Sequence, residues 1–294
     1  MPKSSKPLTN SAGYCNICNN HGPLTWDHVP PKASASPTAV EIKSLMHWLA
    51  GAAPGRVNFL GDLMIQERLG RRRISQNGVK FRTVCSTCNN ERLGGRYDPE
   101  LKRVSHQIGG ILRASTTYGW SLPAQMRVPV RTHFLLRGVI GHLLAAQSSK
   151  DSQSPLPGFE SGFYKDLRDY FLDESLALPN TIRVYYWLFP STDYVIVKGL
   201  GLQANDASGA IFGDLIKFFP MAYYVVYAAN QSADLPVPLI HGNGCIDLNC
   251  EVLLYITPGS VPLTSWPETP DSEHSVIMPA ELALRSQRRR PRPR

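Results

Sequence analysis

The sequence predicts an α+β protein: a small zinc-stapled unit of strands and a helix, then an α+β domain with a mainly antiparallel sheet. Three observations predict it. Two Cys-x-x-Cys pairs, Cys15/Cys18 and Cys85/Cys88, offer four thiolates, and four thiolates complete a tetrahedral Zn²⁺ shell. Helical apolar spacing dominates from about residue 101 to 174, and β-branched and aromatic runs follow from 181 to 256. Helices first and strands afterwards is the order of an α+β domain. The 43% hydrophobic content with 18% charge is that of a globular chain, and 294 residues suffice for two domains.

The elements follow in chain order. Residues 1–12 carry no periodic pattern and are expected to be unstructured. The first cysteine pair sits among Gly13, Asn16, Asn19, Asn20 and Gly22, residues that favour the tight turns of a zinc knuckle. The second follows an extended stretch, Val79 to Val84, and leads into Asn89-Asn90-Glu91-Arg92-Leu93, a plausible helix start. Strand, knuckle, helix is how a treble-clef zinc unit closes. Its limits are set at 13–100, with one or two helices expected near 38–72 from Leu45, Trp48, Leu49, Phe59, Leu60 and Leu63.

An accessory domain is expected over 101–284. Leu101 to Ser115 reads as a helix interrupted by Gly109-Gly110, His133 to Gln147 as a buried apolar helix, and Gly158 to Glu174 as an amphipathic one. Strands are expected at Thr181–Phe189, Asp193–Val197, Ile211–Phe219, Ala222–Ala228 and Glu251–Ile256. Their aromatics read as core and cross-strand pairs. His106, His133 and His142 fall in the helices and read as satisfied core histidines. Cys245 and Cys250 fit no common zinc spacing and read as two buried free thiols. Residues 285–294, with six arginines and two prolines, read as a disordered basic tail.

Charge sorts these regions. Residues 1–100 carry 13 Lys/Arg against 7 Asp/Glu, 101–284 carry 12 against 16, and 285–294 carry 6 against none. The basic balance belongs to the zinc region and the tail, as expected of parts that meet nucleic acid. Arg71, Arg72, Arg73, Lys80 and Arg82 are the candidate phosphate contacts. The arginine triplet would equally suit a helix C-terminus, where cations offset the dipole. No run approaches the roughly 20 apolar residues of a membrane helix, and no apolar leader opens the sequence. A cytoplasmic protein without a membrane partner is expected.

Between the cysteine pairs lies Trp26-Asp27-His28-Val29-Pro30-Pro31. Phosphodiester hydrolysis needs a deprotonated water and a cation on the scissile phosphate. A His takes a proton near neutral pH, and a carboxylate holds a hard cation such as Mg²⁺ or Mn²⁺. Neighbouring residues on a strand point to opposite sides, so Asp27 and His28 could address one phosphate only where the backbone bends. A surface turn with Trp26 packed inward is the plain alternative for these residues.

These motifs together resemble the HNH endonucleases of the ββα-metal type with a Cys₄ zinc: Cys15–Cys18, then Asp27-His28-Val29-Pro30-Pro31, then Cys85–Cys88-Asn89. The resemblance covers about residues 13–100. It implies that His28 is the general base, that Asp27 and Asn89 hold a catalytic Mg²⁺ or Mn²⁺, and that the four cysteines hold a structural Zn²⁺. Two features depart from the usual pattern. Lys80 stands where many relatives carry Asn, and 66 residues separate Cys18 from Cys85; a variant subgroup with Asp/Glu-His-Val-x-Pro and Cys-x-x-Cys-Asn accommodates both. The expected function is hydrolysis of DNA, double-stranded by preference, in a setting such as defence against foreign DNA. Residues 101–284 would meet a protein partner or activator, or sense a ligand that frees the nuclease. The alternative is a non-catalytic zinc-stapled nucleic-acid-binding or adaptor protein.

Overall fold

A computed structural model of the 294-residue chain describes residues 12–31, 40–44, 73–75, 79–146, 162–204, 210–228, 235–240, 247–260, 262, 264–268, 274–277 and 283–288. The described chain is mixed α+β, and every strand pairing in it is antiparallel.

The N-terminal sheet has three strands in the order β1 (Ala12–Tyr14), β2 (His21–His28) and β5 (Lys80–Cys85). The turn between β1 and β2 holds the first cysteine pair and is closed by Asn19 N–H to Cys15 O at 2.8 Å. Asn19 sits at φ 59°, a left-handed conformation that Asn tolerates better than most residues. Chain between β2 and β5 returns through β3 (Val40–Ser44) and β4 (Arg73–Ser75), which pair with each other. The expected helical insertion is therefore corrected at 40–44. Val-Glu-Ile-Lys-Ser alternates with the period of a strand, and the apolar cluster that suggested a helix begins only at Leu45. Residues 45–72 lie outside the described part.

Behind β5 a π-wound segment, Thr87–Tyr97, runs directly into helix α1, Asp98–Tyr118. The helix crosses the expected boundary at residue 100 without a break. Nor do Gly109 and Gly110 interrupt it. Glycine costs a helix about 1 kcal/mol each, but here Val104, Ile108 and Leu112 bury the same face, and a Cβ on Gly109 would stand 2.8 Å from Phe219. The glycine permits that approach. Gly119, at φ 67°, terminates α1 in the left-handed C-cap conformation.

Strand β6 (Met126–Arg131) leads into α2, Thr132–Ala145, every residue of which is buried. Helix α3, Phe163–Leu172, packs on α2. So close is the packing that a Cβ on Gly141 would meet Phe171 at 2.4 Å and Leu93 at 2.5 Å. Helix α2 also touches the π-wound segment, β2 and β5, so it is the part against which the zinc-region strands and the later elements both pack.

The nine-stranded sheet contains β7 (Ile182–Leu188), β8 (Tyr194–Ala204), β9 (Ala210–Phe218), β10 (Met221–Tyr227), β11 (Leu239–Ile240), β13 (His274–Ile277) and β14 (Ala283–Arg288), besides β3 and β4. Its order is β11-β7-β10-β9-β8-β14-β3-β4, with β13 on the second half of β8. Strand β12 (Glu251–Ile256) pairs apart from it with β6. Both faces of the sheet's centre are buried. Met221, Tyr223 and Val225 join the core shared with the helices and the zinc region, while Ala222, Tyr224 and Val226 join a second core with Trp187 and Trp266. A strand covered on both sides reads as a continuous apolar run, as this one does. A buried ion pair pins each face of the sheet, Lys217 on the second core and Lys198 on the helix side. Lys217 reaches Glu268 at 2.5 Å and the carbonyls of Thr264 and Trp266, and Lys198 pairs with Asp214 while donating to Leu143 O at 2.9 Å.

Two further expectations change. The basic tail is a strand as far as Arg288, paired with β3 and β8; its arginines hid a segment whose backbone finds partners on both edges. Residues 289–294 lie outside the described part. Cys250 is disulfide-bonded rather than free, and Cys245 lies outside the described residues. Among the described residues no helix is long and apolar enough to cross a membrane.

Candidate metal centre and the strand face beside it

Two knuckles bring the four cysteines together. Cys15 and Cys18 lie in the β1–β2 turn, Cys85 ends β5, and Cys88 lies in the first turn of the π-wound segment. Their sulfurs all lie within 4.8 Å of one another, and Cys18 Sγ is 3.7 Å from Cys85 Sγ. A Zn–S length of about 2.3 Å places tetrahedral sulfurs about 3.8 Å apart, so the donor set fits zinc in type, number and spacing. All four are free thiols. They share protons unevenly. The neighbouring Cys15 thiol pushes Cys18 down to about 7 and, as the largest influence, holds Cys85 far below the ordinary thiol range. The same neighbours drive Cys15 and Cys88, the most buried two, far above it. Sulfurs this close cannot all be thiolates until a cation joins them. Among the described residues this is the one cluster of three or more His, Cys, Asp or Glu groups placed to hold a metal ion.

The knuckles are locked to α2 by its last carbonyls, which have no acceptor role inside the helix. Asn16 Nδ2 donates to Leu144 O at 3.3 Å, and Thr83 Oγ1 to Ala145 O at 2.5 Å. Thr83 is available because the β2–β5 ladder slips there: Thr25 faces Val84, Trp26 faces Arg82, and Thr83 has no strand partner. Asn16 N–H bonds its carbonyl instead at 2.9 Å. Asn89 clips the other side of this bulge, donating from Nδ2 to Thr25 Oγ1 at 2.9 Å and to Trp26 O at 3.1 Å. Bulges re-aim side chains and are frequent beside active sites.

Past the bulge, Asp27 and His28 part company. Asp27 is 4% exposed and turns inward. Its Oδ2 accepts from His142 Nδ1 at 2.9 Å, and His142 Nε2 donates to Asp98 Oδ1 at 2.8 Å. Each ring nitrogen meets a carboxylate, so each carries a proton. Burial alone would depress the pKa of His142; the two carboxylates outweigh it and push it up to about 10. The imidazolium is fully buried between two elements, with Asp98 at the point where the π-wound segment becomes α1.

His28 lies on the opposite face with Lys80 directly across the ladder, and Trp26 two residues before it faces Arg82. Trp26 is 48% exposed, which corrects the inward packing that a plain turn would give it. Lys80 Nζ stands 5.0 Å and Arg82 Cζ 6.0 Å from its ring centroid, and Arg82 Nε is steadied by Leu24 O at 3.0 Å. Val29-Pro30 is a cis peptide.

The fold thus gathers the four cysteines at one place, and His28, Lys80 and Arg82 on one strand face. It ties Asn89 to the peptide group that precedes Asp27, and aims Asp27 away from His28. Arg71 and Arg72 lie outside the described residues, and Arg73 opens β4. His142 and Asp98 are the residues that sequence reasoning missed. A satisfied core histidine is what His142 is, yet one of its two carboxylates is Asp27, 115 positions away. No local pattern announces such a pairing. His133 behaves as expected, buried with Nδ1 2.8 Å from Tyr170 Oη. The chain matches no family model, no curated protein and no solved structure.

Proposed function

We propose that this chain is a metal-dependent endonuclease of the HNH type, acting on DNA. One arrangement carries the reading: an antiparallel strand pair and a helix meet at four cysteines, and the strand face beside them holds a histidine directly opposite Lys80, with Arg82 two positions further along β5. His28 is the general base, taking a proton from the attacking water. Lys80 and Arg82 hold the backbone phosphates across from it. Zinc on Cys15, Cys18, Cys85 and Cys88 fixes the two knuckles and leaves the chemistry to others.

Asp27 and Asn89 are the residues that would hold a Mg²⁺ or Mn²⁺ ion, which when bound would polarise the phosphate and stabilise the leaving oxygen. The donor chemistry suits a hard cation. His142 engages one oxygen of Asp27, Oδ2, and Asn89 uses its amide nitrogen on the bulge, so Asp27 Oδ1 and Asn89 Oδ1 would be the donor atoms. Ligating carboxylates are commonly held by a further hydrogen bond, as His142 holds Asp27.

The inward turn of Asp27 favours a second reading, a zinc-stapled nucleic-acid-binding module without catalysis. Its carboxylate is already neutralised by His142, and Lys80 occupies a place where Asn is usual. Nicking of supercoiled plasmid in Mg²⁺ or Mn²⁺ separates the two. The nuclease reading expects cleavage by the wild type and at least a hundred-fold loss in His28→Ala, in line with the ~10²–10⁴-fold that a general base supplies. Equal cleavage by both proteins, or none by either with zinc bound, rejects it.

A further inference from the structure

Trp26 is unusual among the large apolar side chains of this region. It projects from the middle of a paired strand, half exposed, rather than from a loop or an edge. The core in which Leu24 and Val84 are buried takes nothing from it. What it meets is charge: the Lys80 ammonium at 5.0 Å and the Arg82 guanidinium at 6.0 Å from its ring centroid, both carried by the neighbouring strand β5. Cations at these distances are attracted by the negative face of an indole, and they fix the ring in one attitude while leaving part of its surface to solvent.

We propose that Trp26, Lys80 and Arg82 form a stacking subsite for an unpaired nucleobase of a DNA strand, so that the substrate class is single-stranded or locally opened DNA. The inference deepens the nuclease reading and rests on it for the position of the cut. The chemistry converges on this ligand. Any nucleobase offers a π-face to an exposed indole, and the phosphates on either side of that base meet the ammonium and guanidinium beside the ring. A paired base inside a duplex keeps both faces stacked on its neighbours and has none to give. His28 follows Trp26 by two positions on the same face, opposite Lys80, which sets the stacked base next to the group that would activate water. The double-stranded preference expected from the motif resemblance would then belong to a duplex that is opened at this point.

Binding without cleavage tests the proposal apart from catalysis. Fluorescence anisotropy of a labelled single-stranded 12-mer, of the same sequence as a duplex and of that duplex with a central two-base bubble would be read on the full chain, with zinc bound and without Mg²⁺ or Mn²⁺. Wild type should bind the single strand and the bubble more tightly than the duplex. Trp26→Ala should weaken those two by about ten-fold or more, the scale of one lost base–aromatic stack, and leave the duplex unchanged. Trp26→Phe, which keeps a ring, should recover most of the loss, and this guards against a fold defect in the alanine variant. Equal binding by wild type and Trp26→Ala, an equal loss on all three DNAs, or no DNA binding at low salt would each overturn the subsite. The subsite survives if the plasmid assay shows no cleavage, and the nuclease survives if Trp26→Ala binds normally and still nicks, so the two ideas fail separately.

Discussion

The zinc region and the nine-stranded sheet are held together by different physics. Around the cysteines the first turn is organised by four sulfurs and a few directed hydrogen bonds from Asn16, Thr83 and Asn89. In the sheet, β7, β9 and β10 bury alternate residues into two separate cores, and the aromatic side chains of Tyr185, Trp187, Tyr223 and Tyr224 fill them. Both share an apolar core, and the first has in addition a cysteine cluster that could take a metal. A single metal at that cluster would fix the relative positions of both knuckles.

Removing the metal should break that contrast most visibly. Structural zinc contributes on the order of 10–16 kcal/mol to the units it closes. A strong chelator, or Cys88→Ala, should abolish amide hydrogen-exchange protection in β2, β5 and the π-wound segment while β7 and β10 stay protected. Equal loss in both regions would show that the sheet, too, depends on the metal.

His142 ties helix α2 to β2 and to the start of α1, and its replacement tests that tie. His142→Ala leaves the Asp27 and Asp98 carboxylates without their shared cation, Asp27 in a buried place and Asp98 nearly so. Breaking a buried pair from one side costs about 3–5 kcal/mol. Urea denaturation should show a loss of that size, and a change below ~1 kcal/mol would mean that water already reaches the carboxylates.

A smaller effect is expected at Glu100, whose carboxylate is buried at the junction of α1 with β6. Burial would raise its pKa. Hydrogen bonds from Arg103, at 2.6 Å, and from the backbone and side chain of Arg131, at 2.9 and 3.1 Å, outweigh burial and hold it below its ordinary 4.5. A depressed carboxyl stabilises the fold above its unfolded pKa and ceases to do so as pH falls through its folded one. Glu100→Gln should therefore cost about 2 kcal/mol at pH 7, the worth of one charge-assisted hydrogen bond, and the gap to wild type should shrink as thermal unfolding is followed below pH 4.5.

Legibility in the sequence divides along the same line as the physics. Short-range chemistry was readable: a Cys-x-x-Cys pair is its own evidence, and Asp27-His28 stands out between two of them. The apolar helix over α2 and the strands β7 to β10 announced themselves by period and β-branching. What stayed hidden depends on one inserted residue or on distant partners. The bulge at Thr83 turns Trp26 outward, and no pattern in Thr25-Trp26-Asp27 foretells it. Asp27 finds His142 across 115 positions, and His142 finds Asp98 across 44. Strand β14 was concealed by composition, since arginine-rich segments are ordinarily solvated, and β3 by its brevity.

Strand β3 has a consequence for the order of events as the chain is made. It and β4 reach the nine-stranded sheet only through β14, whose residues 283–288 are translated about 240 positions later. Domains synthesised first usually settle first. Here that rule fails for the β3–β4 pair, which emerges early and has no seat in the large sheet until residue 288 has left the ribosome. A pairing of such sequence separation is slow to find, and an interrupted translation product would carry the complete cysteine cluster with its β3 edge still bare.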